Sequence, residues 1–554
     1  MAEKKVARFS SCRGVTFEIN PNKASPFAIN DPPQVQPDQE KEGWVWLPWT
    51  QRSSFRVFPT SSSLRRGSLR RTLSRPSSHF CDLDIDEDEN INYESFEEYD
   101  DGDVEKQKSF DGVVAKQEPK VPRQKESRLS IILLDQGLFT VYKRLFVVCL
   151  MLNLLFLGLA AAGHFPYARR NAALFSIANI FALTLCRSEA SLRVVFWLAV
   201  KVLGRPWVPL GLRTATTSFL QCLGGIHSGC GVSSIIWLIY ALVLALEDRK
   251  NTSPEIIGVA SAILSLICLS SLTAFPLVRH LHHNIFERTH RFAGWTSLIL
   301  VWVFIILKAC YEPIPKAYDF SASKIAGKQE FWFTLAISIL IVLPWASLRR
   351  VPVRVSAPSG HASIIKFQGG VPAGILGRIS PSPLSEWHPF GIISDGKEEH
   401  MMLAGAVGDF TKSLVSDPPS YLWVRSVHFA GLPYLTNMYE KVVLVATGSG
   451  ICVFLSFLLQ PSRADVCLLW VAKGIEENFG KEIQEMASGF PKEKVIVHDT
   501  AVSGRPNVAE MSVDAAKRWN AQVVIVTSNP EGSRDVVDAC KASGIAAFGP
   551  IWDS

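Results

Sequence analysis

The sequence has few charged residues for its length and no CxxC pair. Only 19% of its 554 residues are Asp, Glu, Lys or Arg, whereas 48% are hydrophobic. A soluble multidomain protein with a polar arm would not show this balance. The 11 cysteines do not form the pattern of a zinc module or a secreted disulfide framework, and several lie inside apolar runs, where we interpret them as small buried side chains. The net charge of +6 is divided among separate basic and acidic segments, so no nucleic-acid partner is expected.

Residues 1–140 lack a sustained helical or strand period. This segment is rich in Ser, Pro, Arg and acidic residues, and we predict a disordered arm that is basic first and acidic from 82 to 105. The segment also lacks the apolar region of a signal peptide, so secretion is not expected. Ser68 and Ser74 each follow a pair of arginines, as in the sites of basic-directed kinases. The alternative is a solvated charge run that touches anionic lipid.

Six apolar runs between 141 and 350 predict a multi-pass α-helical membrane domain. About twenty apolar residues in a helix cross the roughly 30 Å core of a bilayer. Arginines and lysines crowd the second and fourth connections and follow the last run, which places both termini in the cytosol. The lipid bilayer is therefore an expected partner. The runs lie at about 145–165, 171–186, 215–246, 255–278, 292–310 and 331–348.

Two histidines lie in or beside these apolar runs. His227 is in the third run and His290 is at the start of the fifth. Since both runs are predicted to cross in the same direction, the two imidazoles could be axial ligands of one b-type haem, with Gly224, Gly225 and Gly229 leaving room for the macrocycle. The alternative for each is a histidine that caps a helix or joins two helices.

The sequence after the last apolar run has a different texture. Short β-like runs separated by Gly and Pro predict a small antiparallel β-barrel over 351–438. Apolar strand candidates then alternate with helical stretches, which predicts an α/β doubly wound parallel sheet over 439–554. The turn Thr447-Gly448-Ser449-Gly450 follows the first of these strands and offers backbone N–H groups to a phosphate.

Several segments together resemble the ferric reductase and NADPH oxidase superfamily, in which a six-span haem domain precedes a ferredoxin-reductase-like module. The segments are GRISPSPLSEWHPFGIIS, MMLAGAVGDFTKSL, VLVATGSGI, LLWVAKGIEENFG and SGRPNVAEM. The resemblance covers roughly 141–554. It is greatest for the membrane-reductase tail of some fungal nonribosomal-peptide-synthetase-like proteins, including the ending AFGPIWDS.

This resemblance implies FAD and a pyridine nucleotide, NADPH or NADH, as cofactors. It assigns to the flavin Arg378, Ser380, His388, Pro389, Phe390 and Thr411. It assigns to the nucleotide Thr447, Gly448, Ser449, Gly450 and Arg505. Trp552 or Phe548 would stack on the flavin, and Lys473 is placed where a 2′-phosphate would lie.

The sequence departs from the superfamily at the outer haem. The resemblance implies a second histidine about fourteen residues after each of the first two, yet those positions hold Tyr240, Ala241, Val303 and Phe304. One inner haem is therefore expected, without the next carrier towards the outer face.

We expect an integral membrane oxidoreductase that passes electrons from NAD(P)H through FAD to a single haem or to an unidentified acceptor on the cytosolic side. Flavin carries out the conversion from two-electron to one-electron transfer. No side chain is predicted to act as a catalytic acid or base. The alternatives are a non-enzymatic membrane scaffold that retains a degenerate reductase fold and, third, a solute transporter.

Overall fold

The computed structural model describes residues 8–10, 16–18, 140–275, 278–279 and 282–550. The kinase sites predicted at Ser68 and Ser74 lie outside these residues, as do Trp552 and almost all of the predicted arm. Within the arm, two short strands, β1 (Arg8–Ser10) and β2 (Thr16–Glu18), pair antiparallel.

The first half of the described chain is helical. Its helices are α1 (Val141–Ala161), α2 (Pro166–Arg170), α3 (Ala172–Leu185), α4 (Glu189–Leu203), α5 (Leu210–Gln221), α6 (Leu223–Glu247), α7 (Pro254–Thr273), α8 (His283–Cys310), α9 (Ala322–Ala326) and α10 (Gln329–Ala346). A two-stranded ribbon, β3 (Tyr311–Glu312) and β4 (Ala317–Tyr318), follows α8.

Six of these helices form a bundle with an apolar core. α6 packs along α1 and α3, α8 packs along α7, and α10 packs along α3. The core side chains come from five different helices and include Ile177, Leu238, Ile263, Phe304 and Ile337. Side chains on the outer surface of the bundle are also apolar, with Leu155 57% and Ile299 64% exposed. An apolar surface outside an apolar core is typical of helices surrounded by lipid.

The helices α4 and α5 do not follow the sequence prediction. The predicted second connection contains α4, whose axis is bent by 66° from that of α3. The predicted third run, 215–246, is broken at Cys222, so that its first residues belong to α5 and only α6 continues into the bundle. α4 begins at Ser188, whose hydroxyl accepts a hydrogen bond from the N–H of Ser191. Apolar side chains at every third or fourth position of α4, including Leu192, Phe196 and Val200, pack against the β-strands that follow the bundle.

The sequence predicted a small antiparallel β-barrel after the helices, and the strand pairing confirms antiparallel strands there, arranged in two sheets that we call the β-domain. Its strands are β5 (Leu348–Pro352), β6 (Arg354–Ser356), β7 (Ala362–Gln368), β8 (Ile375–Ser380), β9 (His388–Gly391), β10 (Ile393–Ser394), β11 (Glu399–Gly405), β12 (Tyr421–Arg425) and β13 (Phe429–Ala430), with helix α11 (Asp409–Ser416) between β11 and β12. They form two antiparallel sheets in the orders β10-β11-β7-β6 and β13-β8-β12-β5, and β9 pairs with β8.

A 3₁₀ helix, Leu432–Met438, leads into an α/β domain with the predicted doubly wound sheet. The strands are β14 (Lys441–Thr447), β15 (Asp465–Ala472), β16 (Val495–Asp499), β17 (Val523–Thr527) and β18 (Ala546–Phe548). They are parallel, in the order β16-β15-β14-β17-β18. A 3₁₀ turn, Gly448–Val453, follows β14, and the helices are α12 (Ser456–Leu459), α13 (Ile475–Ser488), α14 (Thr500–Ser503), α15 (Val508–Trp519) and α16 (Pro530–Ala542).

One hydrophobic core connects these parts. It extends from α4 and α5 through the β-domain to one face of the parallel sheet, and α15 and α16 cover the other face. Arg213 on α5 is 3% exposed and donates to the carbonyls of Met438 (3.3 Å) and Arg205 (2.8 Å). Thr217 on α5 forms a 2.7 Å hydrogen bond with the hydroxyl of Tyr439. The helix α5 therefore supports the segment that joins the β-domain to the α/β domain.

Candidate functional site

The junction of α4 with the β-domain is organised around one buried carboxylate. Glu189, in the first turn of α4, has a side chain only 10% exposed. It accepts hydrogen bonds from Arg378 on β8 and from Arg425 on β12, the second at 2.9 Å. Both arginines are also held by aromatic rings, because Arg378 lies over Phe429 (5.1 Å to the centroid) and Arg425 over Trp387 (4.8 Å).

Further arginines lie around this carboxylate. Arg187 is within electrostatic range of Arg378 and Arg279, and Arg425 is within range of Arg291. Burial lowers the pKa of Arg425, and Glu189 opposes this effect by stabilising the charged form, while Arg378 adds to it. We call these five arginines the arginine cluster. Glu189 is shared by Arg378 and Arg425, and Arg291 also pairs with Glu287. A concentration of guanidinium groups of this kind favours an anionic ligand.

The HPF tripeptide lies on β9, opposite Arg378 on β8. His388 is 6% exposed and stacks on Phe410, with ring centroids 4.5 Å apart. Phe390 is 1% exposed and belongs to the hydrophobic core, and only Pro389 between them is partly exposed. The tripeptide is therefore brought next to Arg378, as the resemblance implies, but two of its three side chains are packed against protein.

Ser380 and Thr411 are both buried and both bond to nearby backbone. The Ser380 hydroxyl donates to the carbonyl of Ser382 at 2.7 Å. The Thr411 hydroxyl accepts from the N–H groups of Val407 (3.1 Å) and Gly408 (3.0 Å), which fixes the turn into α11. In this structure each hydroxyl stabilises a loop.

The glycine turn lies at the point where the strand order of the parallel sheet reverses. Thr447 at the end of β14 forms a 2.8 Å hydroxyl hydrogen bond with Ser528, which follows β17. Gly448 has φ 52°, a conformation that favours glycine, and its carbonyl accepts from the indole of Trp470 at 3.0 Å. Ser449 and Gly450 are buried in the 3₁₀ turn. Ligands of doubly wound sheets bind at this position, at the carboxyl ends of the strands.

The remaining predicted nucleotide residues lie along the same edge of the sheet. Lys473 follows β15, and the exposed Arg505 lies in the loop after α14, beyond β16. The N-terminus of α13 is already occupied by a carboxylate of the protein, since Asp499 accepts from the N–H groups of Gly474 (2.8 Å) and Ile475 (2.9 Å). Burial alone would raise the pKa of Asp499, but these donors and that of Ala501 lower it overall.

The two predicted haem ligands lie near the starts of their helices. The Nδ1 atom of His227, on α6, is 3.0 Å from the carbonyl oxygen of Leu183, and Nδ1 of His290, on α8, is 2.9 Å from the hydroxyl of Ser270. The two rings are within electrostatic range of each other. With Nδ1 bonded to a neighbouring helix, Nε2 is the nitrogen left for a metal, as in many metal-binding histidines.

The glycines predicted to make room for a haem are used differently. A Cβ atom on Gly225 would lie 2.3 Å from the carbonyl oxygen of Tyr142, and one on Gly229 would lie 3.0 Å from the Cβ atom of Cys149. Both glycines therefore admit α1 against α6. The prediction that Gly225 and Gly229 leave room for a haem was therefore wrong.

Five helices in the described part of the chain are long and apolar enough to cross a membrane, or six if the bent pair α3 and α4 is counted as one span. Among the described residues, no group of three or more His, Cys, Asp and Glu side chains could hold a metal ion. A pair of histidines, such as His227 and His290, does not form such a group.

Sequence reasoning missed Glu189 and Arg425. Glu189 is the only acidic residue in the basic segment 187–213, and this isolation was a usable signal. Arg425 had no local signal, because its importance comes from a contact with a residue 236 positions away.

The fold and the site define a helical bundle joined to an antiparallel β-domain and a doubly wound α/β domain. The model of the C-terminal domain of adenylate-forming reductase 03009 matches residues 432–554. Two curated fungal proteins match a much longer part of the chain. Adenylate-forming reductase 06235 of Coprinopsis cinerea is 32% identical over 446 residues, 79% of this chain and 42% of the relative. Adenylate-forming reductase 03009 of the same fungus is 33% identical over 440 residues, which are 78% of this chain and 42% of the relative.

The chain therefore spans less than half the length of these two relatives. Solved structures also resemble part of the chain. Ferredoxin-NADP+ reductase from Plasmodium falciparum covers 36% of this chain and 95% of its own, with 10% identity and a TM-score of 0.28. The match to the Amycolatopsis cytochrome P450 reductase GcoB covers 37% of this chain and 71% of that protein, with 13% identity and a TM-score of 0.27. At these scores the likeness assigns no function.

Proposed function

We propose that this protein is a membrane-embedded oxidoreductase that transfers a hydride from NAD(P)H to FAD and then passes electrons to an acceptor at the helical bundle. The observation that carries the proposal is the extent of the match to fungal proteins named reductases. A match of 446 residues is too long to lie within 348–550 alone, so it includes residues of the helical bundle. This extent supports a bundle that works together with the reductase domains.

The arginine cluster fits a cofactor that carries a diphosphate. Arg378 uses its Nε atom on Glu189, and a guanidinium has five N–H donors in all. The cluster adjoins β9, where the superfamily resemblance places the flavin. In this proposal Arg378 binds the flavin diphosphate, Glu189 orients Arg378, and Phe410 with His388 forms an aromatic wall. FAD, when bound, supplies the acceptance of hydride and the release of single electrons.

The turn after β14 suits the diphosphate of a pyridine nucleotide. The bond between Thr447 and Ser528 holds the ends of β14 and β17 together, and Trp470 fixes Gly448 beneath them. These contacts orient the backbone of the turn before any ligand arrives, which reduces the ordering cost of binding. Lys473 and Arg505 lie along the same sheet edge and would contact a further phosphate.

In this proposal His227 and His290 would hold one haem, since each has Nδ1 bonded to a neighbouring helix and the two rings are within electrostatic range of each other. A haem at this position would supply a one-electron carrier. Within this proposal the apolar outer surface of the bundle faces lipid, and the apolar side chains of α4 that point away from the β-domain, such as Trp197 (47% exposed) and Leu198 (51%), lie at the membrane surface. Both termini are proposed to face the cytosol.

The test is flavin content and anaerobic reduction by NADPH and by NADH of the full chain purified in detergent. We expect about one flavin per chain and bleaching of its absorbance by one of the two nucleotides. Arg378→Ala should weaken flavin binding by roughly 10- to 100-fold, the value of a charge-assisted hydrogen bond. Arg350→Ala is the matched control, because Arg350 lies on the neighbouring part of the β-domain over Tyr421 (4.7 Å). A chain that binds neither flavin nor nucleotide overturns the proposal.

One observation favours the second candidate, a non-enzymatic membrane scaffold. His388, Phe390, Ser380 and Thr411 are all engaged with protein in this structure. A scaffold that had lost its cofactors would keep these internal contacts. The same flavin measurement separates the two, since a scaffold would be colourless at all nucleotide concentrations.

A further inference from the structure

Two cysteines meet inside the helical bundle. Cys149 on α1 and Cys230 on α6 have sulfur atoms 3.3 Å apart. A disulfide bond is about 2.05 Å long, so small side-chain rotations of both residues would bring the two thiols to bonding distance. The two residues are 81 positions apart in the sequence and are not part of any cysteine motif.

The packing of α1 against α6 explains this contact. Gly225 and Gly229 on α6 are four residues apart, and both face α1, where a Cβ atom would meet the backbone of Tyr142 or the Cβ atom of Cys149. Small residues at this spacing let two helix backbones approach closely. Close backbones are also what a disulfide requires, because its two Cα atoms must lie within about 7 Å.

The thiols lie beside a chain of polar contacts. Asn153, one turn after Cys149, donates to the Cys149 carbonyl at 2.9 Å. Its side-chain oxygen accepts from Asn179 (2.8 Å) and from the indole of Trp237 (2.9 Å). Tyr142 and Ser228 form a 2.8 Å hydrogen bond on the other side of the thiols. Polar groups at this depth of an apolar bundle are costly and are commonly functional.

The pair is near the end of the bundle that adjoins the α/β domain. Gln221, just before α6, donates to the carbonyl of Gly549 at 2.9 Å. Cys230 is seven residues into α6, about 10 Å along the helix axis. Cys186, between α3 and α4, is within electrostatic range of Cys230. The thiol pair is therefore about two helical turns from the point where the bundle contacts the α/β domain.

We propose that Cys149 and Cys230 form a redox-active disulfide that accepts two electrons from the reductase. This inference rests on the proposed function and identifies the disulfide as an acceptor of the electrons that the reductase delivers. NAD(P)H supplies a hydride, which amounts to two electrons and one proton, and water supplies the second proton. The S–S bond breaks, each sulfur becomes a thiol, and NAD(P)+ is released. An oxidant of the quinone or disulfide class takes the two electrons and two protons back and closes the bond.

The first experiment asks whether the bond forms. The full chain in detergent is oxidised with diamide, the reagent is removed, and peptides are mapped without reduction by mass spectrometry. We expect a Cys149–Cys230 cross-linked peptide that dithiothreitol abolishes. No cross-link, or one that joins Cys186 to either residue, overturns the inference.

The second experiment asks whether the reductase opens the bond. The oxidised chain is titrated anaerobically with NADPH or NADH, and free thiols are counted by alkylation. Wild type should gain two thiols and consume one more equivalent of nucleotide than Cys149→Ser or Cys230→Ser. Cys268→Ser, on α7, is the matched control and should behave as wild type, and equal flavin bleaching in all four chains shows that the variants are folded.

The outcomes separate this inference from the proposed function. Flavin that bleaches while the disulfide stays closed overturns the inference and leaves the oxidoreductase. Flavin that is absent or never bleaches overturns the oxidoreductase and the acceptor together.

Discussion

Replacing Glu189 by Gln should loosen the attachment of the β-domain to α4. The carboxylate is shared by Arg378 and Arg425, whose side chains are 31% and 17% exposed. Arg425 depends on it most, because its Nε atom has no hydrogen-bond partner among the described residues. Removing one partner of a buried ion pair costs about 3–5 kcal/mol. Since Arg378 remains partly hydrated, we expect the lower end, about 3 kcal/mol.

The assay is urea unfolding of the full chain in detergent, followed by fluorescence. With a slope of about 3 kcal/mol per molar, the loss lowers the unfolding midpoint by roughly 1 M. Glu312→Gln is the control, because Glu312 pairs with Lys324 at 2.6 Å on the surface, with side chains 48% and 37% exposed. That pair should be worth less than about 1 kcal/mol. A midpoint for Glu189→Gln no lower than that of the control would refute the argument.

Three further predictions follow from other contacts. Gly391→Ala should destabilise the contact between the β-domain and the α/β domain by about 1–3 kcal/mol in the same assay, because its Cβ atom would lie 2.5 Å from Val453 of the glycine turn; a neutral effect would contradict this packing. Asp499→Asn should cost about 1–2 kcal/mol at neutral pH. The folded pKa of Asp499 is lowered from 3.8, so its stabilisation is present above about pH 4 and lost as pH falls through the folded value; a gap between wild type and variant that is constant from pH 7 to pH 3 would be inconsistent with this. His227→Ala or His290→Ala should each abolish a Soret band in the purified chain, and a band that survives both changes would exclude them as ligands.

The α/β domain was the easiest part to predict from the sequence. Each of its five strands is a short apolar run, and each run has a turn residue or a helix signal on both sides. The segment KVVLVATGSG contains β14 (Lys441–Thr447) and DVCLLWVA coincides with β15 (Asp465–Ala472). Parallel strands are buried on both faces, so their local composition is enough to identify them.

The helix α4 could not be placed in the same way. The segment 187–213 is rich in arginine and lysine, and the sequence predicted a cytosolic connection. In the structure its apolar residues, such as Phe196, pack on the β-domain at helical spacing. The residues that cover α4 come from more than 160 positions later in the chain, so a local pattern cannot reveal that they will be there.

The candidate site was predicted in part. The sequence identified Arg378 and the HPF tripeptide, and the structure brings them onto paired strands. Their partners Glu189 and Phe410 come from other segments and were not predicted. The contact of Cys149 with Cys230 has the same origin, because it depends on the close crossing of two helices at glycines.

The most direct test of the central claim is the absorbance spectrum of the purified full chain before and after anaerobic addition of NADPH. We predict flavin bands that bleach on addition, together with a Soret band that shifts when a haem held by His227 and His290 is reduced. A colourless chain whose spectrum does not respond to NADPH or NADH would contradict the account.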